Sequence, residues 1–175
     1  MRANNRIKAL DAVVKIIQRD GITAVTFDAI AAETGLTRGG LLYHFPTRDV
    51  LMQEVHKHIA SQWESEMLEI ANGKENLPEE RHKAYIQTCM NTASRVQLLL
   101  MLESMVAPEL GRPWRELHEH WAPPVPESES LSEEGLFIVR LAAEGLWIHE
   151  AITNRPLPTE LKHRILRKLL HVTGI

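Results

Sequence analysis

The sequence has very little cysteine: Cys89 is the single one among its 175 residues, so no disulfide can form within the chain. Such a chain is typical of a reducing compartment, and we expect the cytoplasm. No apolar run approaches the roughly 20 residues of a membrane-spanning helix. The first ten residues, MRANNRIKAL, also lack the apolar core of a signal peptide. These absences argue against a membrane protein and against an exported one.

The sequence also lacks the patterns that mark most catalytic and metal sites. Its nine histidines do not combine with Cys or Asp at the spacing of metal ligands. Neither a Gly-rich phosphate loop nor a Ser-His-Asp signature stands out. We therefore expect no metal, no cofactor and no enzymatic activity.

An excess of basic charge is missing from the chain as a whole, but not from its first third. The net charge of −3 by itself argues against a nucleic-acid-binding protein. Residues 1–60, however, hold eight Lys and Arg against six Asp and Glu, whereas the remainder holds twelve against seventeen. The N-terminal third is therefore mildly basic, which permits an anionic partner there without requiring one.

What the sequence does have is helical periodicity, because apolar residues recur every three or four positions along most of its length. Alternating strand patterns and internal repeats are not visible, so we predict an all-α fold of about nine helices. The expected helices lie at about 4–19, 27–34, 38–44, 48–71, 79–94, 96–106, 112–121, 131–153 and 158–172.

Residues that favour helix ends support these boundaries. Gly35 is placed to supply the left-handed turn that ends the second helix. Ser and Thr side chains, and those of Asn, can accept a hydrogen bond from the first free amide groups of a helix. The expected N-caps are Asn4 or Asn5, Thr26, Thr37, Thr47 and Ser130, the last in a capping box with Glu133.

Residues 27–45 combine two short helices with a tight glycine-containing turn, which is the sequence pattern of a helix-turn-helix. The second helix of such a motif enters the major groove of DNA with its N-terminal residues toward the base edges. Gly39 and Gly40 are costly in a helix, but without a Cβ they let the backbone approach a base or phosphate closely. The apolar residues expected to bury against the first helix are Ile30, Ala31, Leu36, Leu41 and Phe45.

The side chains around these glycines are suited to DNA. Arg38 can donate two hydrogen bonds to a guanine or bind a phosphate. Thr26 and Thr37 lie at expected helix N-termini, where hydroxyl and amide groups bind phosphates. The residues that follow, where such motifs meet the sugar-phosphate backbone, are Tyr43, His44 and Arg48. Each residue alone is more often an ordinary surface or core residue, and it is their order and spacing that carry the prediction.

The segment TFDAIAAETGLTRGGLLYHFPTRDVL resembles the N-terminal module of the TetR family of bacterial transcriptional repressors, and the resemblance covers about residues 5–55. A weaker similarity to the small multidrug-responsive TetR-type regulators rests on GLLYHFPTR, on the region of Trp114 and Trp121, and on LAAEGLWIHE. Leu42 stands where the family often has tyrosine, so that contact is absent or becomes an apolar one. The resemblance implies DNA contacts from Thr26, Thr37, Arg38, Gly39, Gly40, Tyr43, His44 and Arg48.

The resemblance also implies two domains: a helix-turn-helix DNA-binding domain at 1–46 and a helical ligand-binding and dimerisation domain at 47–175. We expect the last two helices to form a four-helix bundle with those of a second copy. These two helices could instead pack only within the chain. Their apolar faces are Leu136, Val139, Ala143, Leu146 and Trp147 on one helix and Leu161, Ile165, Leu169 and Val172 on the other.

Soft and aromatic side chains of the second domain form a candidate ligand pocket. A carboxylate among Met and Trp side chains suits a flat cationic ligand, through charge and cation–π attraction. The candidates are Trp63, Met67, Met90, Met101, Glu103, Met105, Trp114, Trp121 and Trp147. Core packing is the simpler explanation of each apolar residue alone, and Glu103 could equally be a residue of a helix surface.

The sequence therefore predicts a repressor that binds a palindromic operator DNA as a homodimer and is released by a small-molecule inducer of cationic or aromatic character. The alternative is a helical protein that sequesters small molecules and whose helix-turn-helix is non-functional. The weak net charge and Leu42 favour that alternative slightly. A strongly salt-dependent affinity for a palindromic duplex would separate the two.

Overall fold

The computed structural model describes residues 2–91, 93–127 and 129–173, and within them the side chains from residue 4 to residue 171. This part of the chain is all-α, as predicted, and contains nine helices and two short 3-10 turns. The helices are α1 (Arg2–Asp20), α2 (Phe27–Thr34), α3 (Arg38–His44), α4 (Arg48–Ala71), α5 (Pro78–Asn91), α6 (Arg95–Val106), α7 (Arg112–Trp121), α8 (Leu131–Thr153) and α9 (Thr159–Thr173).

The chain forms two compact units, each built from two stretches of sequence. The first unit consists of Met1–Ser61 and Val96–Trp114, and the second unit consists of Gln62–Arg95 and Arg115–Ile175. Three helices, α4, α6 and α7, supply residues to both units, and α4 is the longest of them. The functional boundary expected between residues 46 and 47 stays a prediction.

The helix-turn-helix of the first unit is held by an apolar core between its three N-terminal helices. α1 packs against both α2 and α3. Ile30, Leu41 and Phe45 are fully buried, whereas Ala31 and Leu36 are half-buried. α3 is only seven residues long and includes two glycines, and isolated helices of that length are not stable in water. Packing through Leu41 and Phe45 therefore holds α3 in place.

Local hydrogen bonds fix where these helices begin and end. The hydroxyl oxygens of Thr26, Thr37 and Thr47 each accept a hydrogen bond from the amide three residues further on, at 3.1, 3.1 and 3.2 Å. Gly35 follows α2 with a φ of +71°, a conformation that glycine adopts without a steric penalty. Thr34, which the sequence analysis overlooked, is buried and bonds to the Ile30 carbonyl and the Leu36 amide across the turn.

Two of the predicted caps are wrong. α1 begins at Arg2, so Asn4 and Asn5 lie inside the helix rather than at its N-cap. Ser130 precedes α8 in extended conformation, but its side chain makes no capping hydrogen bond. The Ser130 hydroxyl instead lies within hydrogen-bond distance of the Ser132 hydroxyl, at 3.3 Å.

α8 is the central helix of the second unit and packs against both α5 and α9. Its face with Val139, Ala143 and Trp147 is buried within the chain. The sequence analysis assigned that face to the dimer, and this assignment is wrong because these residues already form the core. Leu136 and Leu146 on the same face are half-buried.

A different face of α8 is exposed and apolar. It consists of Ile138, Leu141, Gly145, Ile148 and Ile152. Its spacing of three and four residues marks one continuous stripe along the helix. On α9, Leu161, Ile165 and Leu169 are half-buried, and the side chain of Val172 lies outside the described residues.

A buried ion pair joins three parts of the second unit. The Lys162 ammonium of α9 donates to a Glu150 carboxylate oxygen of α8 at 2.8 Å, and to the Met90 carbonyl near the end of α5 at 2.8 Å. The other Glu150 oxygen accepts from the Leu157 amide at 2.5 Å. Both charged groups thus have several partners, which is the condition under which burying them is tolerated.

Candidate functional sites: a helix-turn-helix surface and an aromatic cluster

One side of α3 is exposed and carries most of the predicted DNA contacts. Arg38, Gly39, Gly40 and Tyr43 are exposed on this helix, and His44 is half-buried. Tyr43 is 70% exposed, which is unusual for a large aromatic side chain in a folded protein. The Tyr43 ring meets the His44 ring edge-on with a centroid distance of 5.3 Å. Thr26, Thr37 and Arg48, outside the helix or at its flank, are exposed as well.

The two glycines of α3 differ in what surrounds them. A Cβ built on Gly39 meets no heavy atom of the described residues within 4 Å outside its neighbours and its own helix backbone, and the φ of Gly39 is not positive. A Cβ on Gly40 would lie 3.2 Å from the capping oxygen of Thr37. The fold therefore gives a reason for glycine at position 40, whereas nothing in the chain itself requires glycine at position 39.

A shallow cavity of about 310 Å³ opens in the first unit beside the start of α2 and α3. Thr26, Arg38 and Arg48, three of the predicted DNA contacts, line it together with Asp28. A guanidinium nitrogen of Arg38 lies 2.6 Å from a carboxylate oxygen of Asp28. The Arg48 guanidinium lies 3.5 Å from the Ile22 carbonyl oxygen. The cavity thus combines two cations, one anion and a helix N-terminus.

The predicted ligand residues are divided between the two units, and two of them meet in an aromatic cluster of the second unit. The rings of Trp63 and Trp147 lie 6.1 Å apart between centroids. Tyr85 and His118, which the sequence analysis did not select, complete the cluster at 5.8 and 6.0 Å from Trp63. Both tryptophans and Tyr85 are buried. We use the name aromatic cluster for these four residues.

Polar groups border the aromatic cluster. The Tyr85 hydroxyl donates to Glu144 at 2.7 Å, and Arg140 donates to the same carboxylate oxygen at 2.8 Å. Burial is the main cause that raises the pKa of Tyr85 far above its ordinary value, so its proton stays on the oxygen. Among the described residues, no hydrogen-bond acceptor is within reach of the buried indole nitrogen of Trp147. That nitrogen is a donor that a bound molecule could satisfy.

Cys89 lies one helical turn after Tyr85 on α5 and is buried. Burial raises the pKa of the Cys89 thiol to about 12. The neutral thiol is a weak nucleophile and a weak metal ligand. Cys89 therefore serves as a small apolar side chain of the core.

Glu103 and Trp114 lie in the first unit, where both contact the buried His56. The Nε2 atom of His56 is 3.1 Å from a Glu103 carboxylate oxygen, and Trp114 donates its indole N–H to Nδ1 at 2.9 Å. Since Nδ1 accepts a hydrogen bond, the ring proton belongs on Nε2, where it is donated to Glu103. Glu103 is therefore neither a free surface residue nor an unpaired charge.

The remaining predicted ligand residues have different surroundings. Trp121 is buried and donates its indole N–H to Glu64 at 3.2 Å. Met67 and Met90 are buried in the second unit. Met101 is half-buried in the first unit, and Met105 is 76% exposed there. A ligand role for these methionines stays a prediction.

The sequence analysis missed Tyr85, His118 and Glu144. A weak signal was present for two of them, because Tyr85 is one turn before Cys89 and Glu144 is one turn before Trp147 on predicted helices. Nothing in the sequence indicates that Tyr85 and Glu144 meet, since they are 59 residues apart.

A second cavity, of about 570 Å³, opens on the second unit. Its lining includes Arg81, His82, His120 and Arg140. Arg81 donates to the carbonyl oxygens of Glu75 and His120 at 2.8 and 3.0 Å. Burial, with a contribution from the charge of Arg81, lowers the pKa of His82 from its ordinary value of 6.5.

The described residues contain no group of three or more His, Cys, Asp or Glu residues that could hold a metal ion. None of their helices is both long enough and apolar enough to cross a membrane.

The fold and the exposed α3 surface define the class of helix-turn-helix transcriptional regulators. Two family models name the family. The model for bacterial regulatory proteins of the tetR family matches residues 9–55, and the model for the tetracyclin repressor-like C-terminal domain matches residues 79–174. The chain therefore belongs to the TetR family of transcriptional regulators, as the sequence analysis expected.

Solved structures share this fold over almost their whole length. A protein from Saccharomonospora viridis, described as a transcriptional regulator and solved in complex with choline, has 16% identity and a TM-score of 0.74, covering 97% of this chain and 96% of that one. SCO7518 from Streptomyces coelicolor A3(2) has 18% identity and a TM-score of 0.66, covering 98% and 99%. The multidrug binding protein EbrR, solved with imidazole, has 18% identity and a TM-score of 0.61, covering 94% of each chain.

EbrR has also been solved with malachite green and with ethidium. At identities this low the likeness shows the fold. No curated protein matches the chain at a significant level.

Proposed function

We propose that this regulator is a ligand-responsive repressor. A homodimer binds a palindromic operator through α3, and a small cationic or aromatic inducer bound in the second unit releases it. Membership of the TetR family and the exposed α3 surface support this proposal. A repressor of this kind acts in the cytoplasm, on the chromosome, and the proposal includes no enzymatic step.

The observation that carries the DNA-binding part is the contrast between the two sides of α3. Leu41 and Phe45 on the inner side are fully buried, whereas Arg38, Gly39 and Tyr43 on the other side are exposed. A recognition helix needs this arrangement, because its inner side fixes the orientation in which the outer side meets the groove. The open space at Gly39 supports a close approach of DNA, since no contact within the chain requires glycine there.

The exposed surface of α8 supports the homodimer, which a palindromic operator would also require. Two recognition helices on a palindrome lie about 34–36 Å apart, one turn of DNA, and are related by a two-fold axis. The exposed apolar stripe that runs from Ile138 to Ile152 on α8 is the surface we assign to the partner copy, beside α9. An exposed apolar stripe of this length is costly in water and favours association.

The oligomeric state tests this assignment. The double variant Leu141→Asp, Ile148→Asp places two charges in the exposed stripe, and we expect it to sediment as a monomer where the unmodified protein is a dimer. Val125→Asp, which adds a charge at another exposed apolar residue of the second unit, should remain dimeric. A dimer that survives the double substitution would place the interface elsewhere.

The inducer site proposed is the aromatic cluster. Tyr and Trp faces attract cations, and the indole nitrogen of Trp147 offers a donor that the described residues leave without an acceptor. Choline, ethidium and malachite green, the molecules held by two structural relatives, are cations. Glu144 borders the cluster but is paired with Arg140, as Glu103 is with His56, so we assign the attraction for a cation to the aromatic faces.

The inducer releases DNA by shifting a population. It must bind the conformer with wrongly spaced recognition helices more tightly than the DNA-binding conformer, because a ligand with equal affinity for both shifts nothing. α4, which supplies residues to both units, is the element we expect to connect the two sites.

DNA binding is tested with a duplex that the unmodified protein selects from a random pool. The double variant Arg38→Ala, Tyr43→Ala should bind this duplex roughly tenfold to a hundredfold more weakly, since a phosphate and a base contact are lost. Lys83→Ala, which removes an exposed cation outside the helix-turn-helix, is the control and should bind normally. Unchanged affinity of the double variant contradicts the proposal. Salt-independent or absent binding by the unmodified protein supports the sequestering alternative instead.

The inducer site is tested with ethidium and choline as probes. Ethidium fluorescence and a choline thermal shift should report binding to the unmodified protein. Trp63→Leu keeps an apolar side chain but removes the π-face, so we expect roughly 2- to 30-fold weaker binding of both cations. Leu77→Ala, at an exposed leucine of the second unit outside the cluster, is the control. Equal affinities in both variants would place the ligand away from the aromatic cluster.

A further inference from the structure

A carboxylate lies in the middle of the surface that we assign to DNA. Asp28 is the second residue of α2, and its Oδ1 atom is 2.6 Å from a terminal nitrogen of Arg38, the first residue of α3. The side chains are 77% and 59% exposed, respectively. The ion pair therefore joins the N-terminal ends of the two helices of the motif and faces solvent.

The neighbours of Asp28 make its charge unexpected for a DNA-binding surface. Thr26, Arg38 and Arg48 line the same cavity of about 310 Å³. In the proposed function these groups attract phosphates, which a carboxylate at the same place repels.

Stability accounts for only a small part of this charge. A carboxylate near a helix N-terminus is favourable, but an ion pair as exposed as this one contributes little to folding. The effect that remains is on Arg38, whose guanidinium has an anionic partner before any DNA arrives.

We propose that Asp28 is a specificity-determining residue, which lowers affinity for DNA of arbitrary sequence more than affinity for the operator. Non-specific binding consists mainly of phosphate contacts, and a phosphate must compete with the Asp28 carboxylate for Arg38. A guanidinium has five N–H groups, so Arg38 can retain one bond to Asp28 while it donates to the O6 and N7 atoms of a guanine. The carboxylate then orients Arg38 toward the base edge.

This inference rests on the proposed function, and its test uses the full chain and two duplexes. One duplex is selected by the unmodified protein from a random pool, and the other is a scrambled sequence of the same composition. Fluorescence anisotropy over roughly 50 to 200 mM KCl gives both affinities and their salt slopes. The variants are Asp28→Asn, Asp28→Glu and the control Glu33→Gln.

Glu33 is a matched control because it also lies on α2 and is also paired with an arginine, Arg19, at 3.2 Å. Its substitution removes the same charge from the same unit but at the other end of the helix. We expect Asp28→Asn to bind the scrambled duplex roughly threefold or more tightly at low salt, with a salt slope steeper by about 0.9, because one more phosphate is contacted. Affinity for the selected duplex should rise less or fall. The ratio of the affinity for the selected duplex to that for the scrambled duplex should therefore decrease.

The other variants decide what causes any change. Asp28→Glu keeps the charge and should keep the discrimination, and Glu33→Gln should leave both affinities unchanged. Equal gains from Asp28→Asn and Glu33→Gln would overturn the inference, because net charge alone would then explain them. Weaker binding of Asp28→Asn to both duplexes would also overturn it. A wild-type chain that binds neither duplex would overturn the repressor function itself, which is a distinguishable result.

Discussion

The α3 surface and the aromatic cluster differ in how their side chains are held. The α3 side chains are exposed and are positioned by contacts within a few residues, such as the bond from the Gly40 amide to the Thr37 hydroxyl. The members of the aromatic cluster are largely buried and are positioned by residues far away in sequence, as Tyr85 is by Glu144. In the first region a substitution is expected to change the proposed DNA binding alone, whereas in the second it changes the packing of the core as well as the proposed ligand site.

The largest expected difference in stability comes from replacing one aromatic residue in each region by alanine. Trp147→Ala should lower the free energy of unfolding by about 3–5 kcal/mol, because a buried tryptophan leaves a cavity. Tyr43→Ala should change it by less than about 0.5 kcal/mol, since Tyr43 is exposed. Urea unfolding followed by circular dichroism measures both. Similar losses in the two variants would contradict the comparison.

A buried ion pair and an exposed one should also differ in what they contribute to stability. Glu150→Gln leaves the Lys162 ammonium buried without its counter-charge, and we expect a loss of about 3 kcal/mol or more. Asp28→Asn removes an exposed partner of Arg38 and should cost no more than about 1 kcal/mol. Thermal unfolding at equal protein concentration compares the two, and a larger effect at Asp28 would show that the pair is structurally important.

The first region could be predicted from the sequence because its signals are local. The bounds of α2 and α3, the threonine caps and the left-handed Gly35 all follow from residues within one or two turns. The aromatic cluster could not be predicted, since helical periodicity identifies buried faces but not which helices meet. Glu103 shows the same limit, because its partner His56 lies 47 residues earlier.

The face of α8 was predicted wrongly for a related reason. Val139, Ala143 and Trp147 form one apolar stripe, and Ile138, Leu141 and Ile148 form part of another. A helix that is apolar on two sides gives no periodicity that identifies its inner side. Only the packing of α5 and α9 against α8 decides that the first stripe is internal.

The two glycines of α3 differ in their surroundings, so their substitutions separate an effect on folding from an effect on the proposed DNA binding. Gly39→Ala should stabilise the protein by about 0.5–1 kcal/mol, because alanine favours the helix and its Cβ meets no atom of the chain. The same variant should bind the selected duplex more weakly, and Gly39→Leu should abolish binding while the dimer remains. Anisotropy and thermal unfolding give the two readouts. Operator binding retained by Gly39→Leu would disprove the close approach of DNA.

Gly40→Ala is the matched comparison for Gly39→Ala. Its Cβ would lie 3.2 Å from the Thr37 hydroxyl oxygen, so the cap must shift. Loss of an N-cap hydrogen bond costs about 1 kcal/mol, which offsets the gain in helix propensity. We therefore expect little net change in stability for Gly40→Ala. A gain equal to that of Gly39→Ala would show that the cap adjusts freely.

The smallest expected effect is a pH dependence in the second unit. Because burial and Arg81 lower the pKa of His82 in the folded protein, the unfolded chain binds a proton more readily. The stability that the neutral His82 contributes is therefore present in full above its ordinary pKa of 6.5. This stability is lost as the pH falls through the lower pKa that His82 has in the folded protein.

His82→Gln should make the midpoint of unfolding less sensitive to pH below about 6.5. His82 is partly open to solvent, so the difference should be small. It is best measured as the change in urea midpoint between neutral and mildly acidic buffer. Because His82 lies in the second unit and outside α3, DNA binding by His82→Gln should be unchanged at neutral pH. A change there would mean that the cavity around His82 influences the recognition helix, and the two regions would then not be separable.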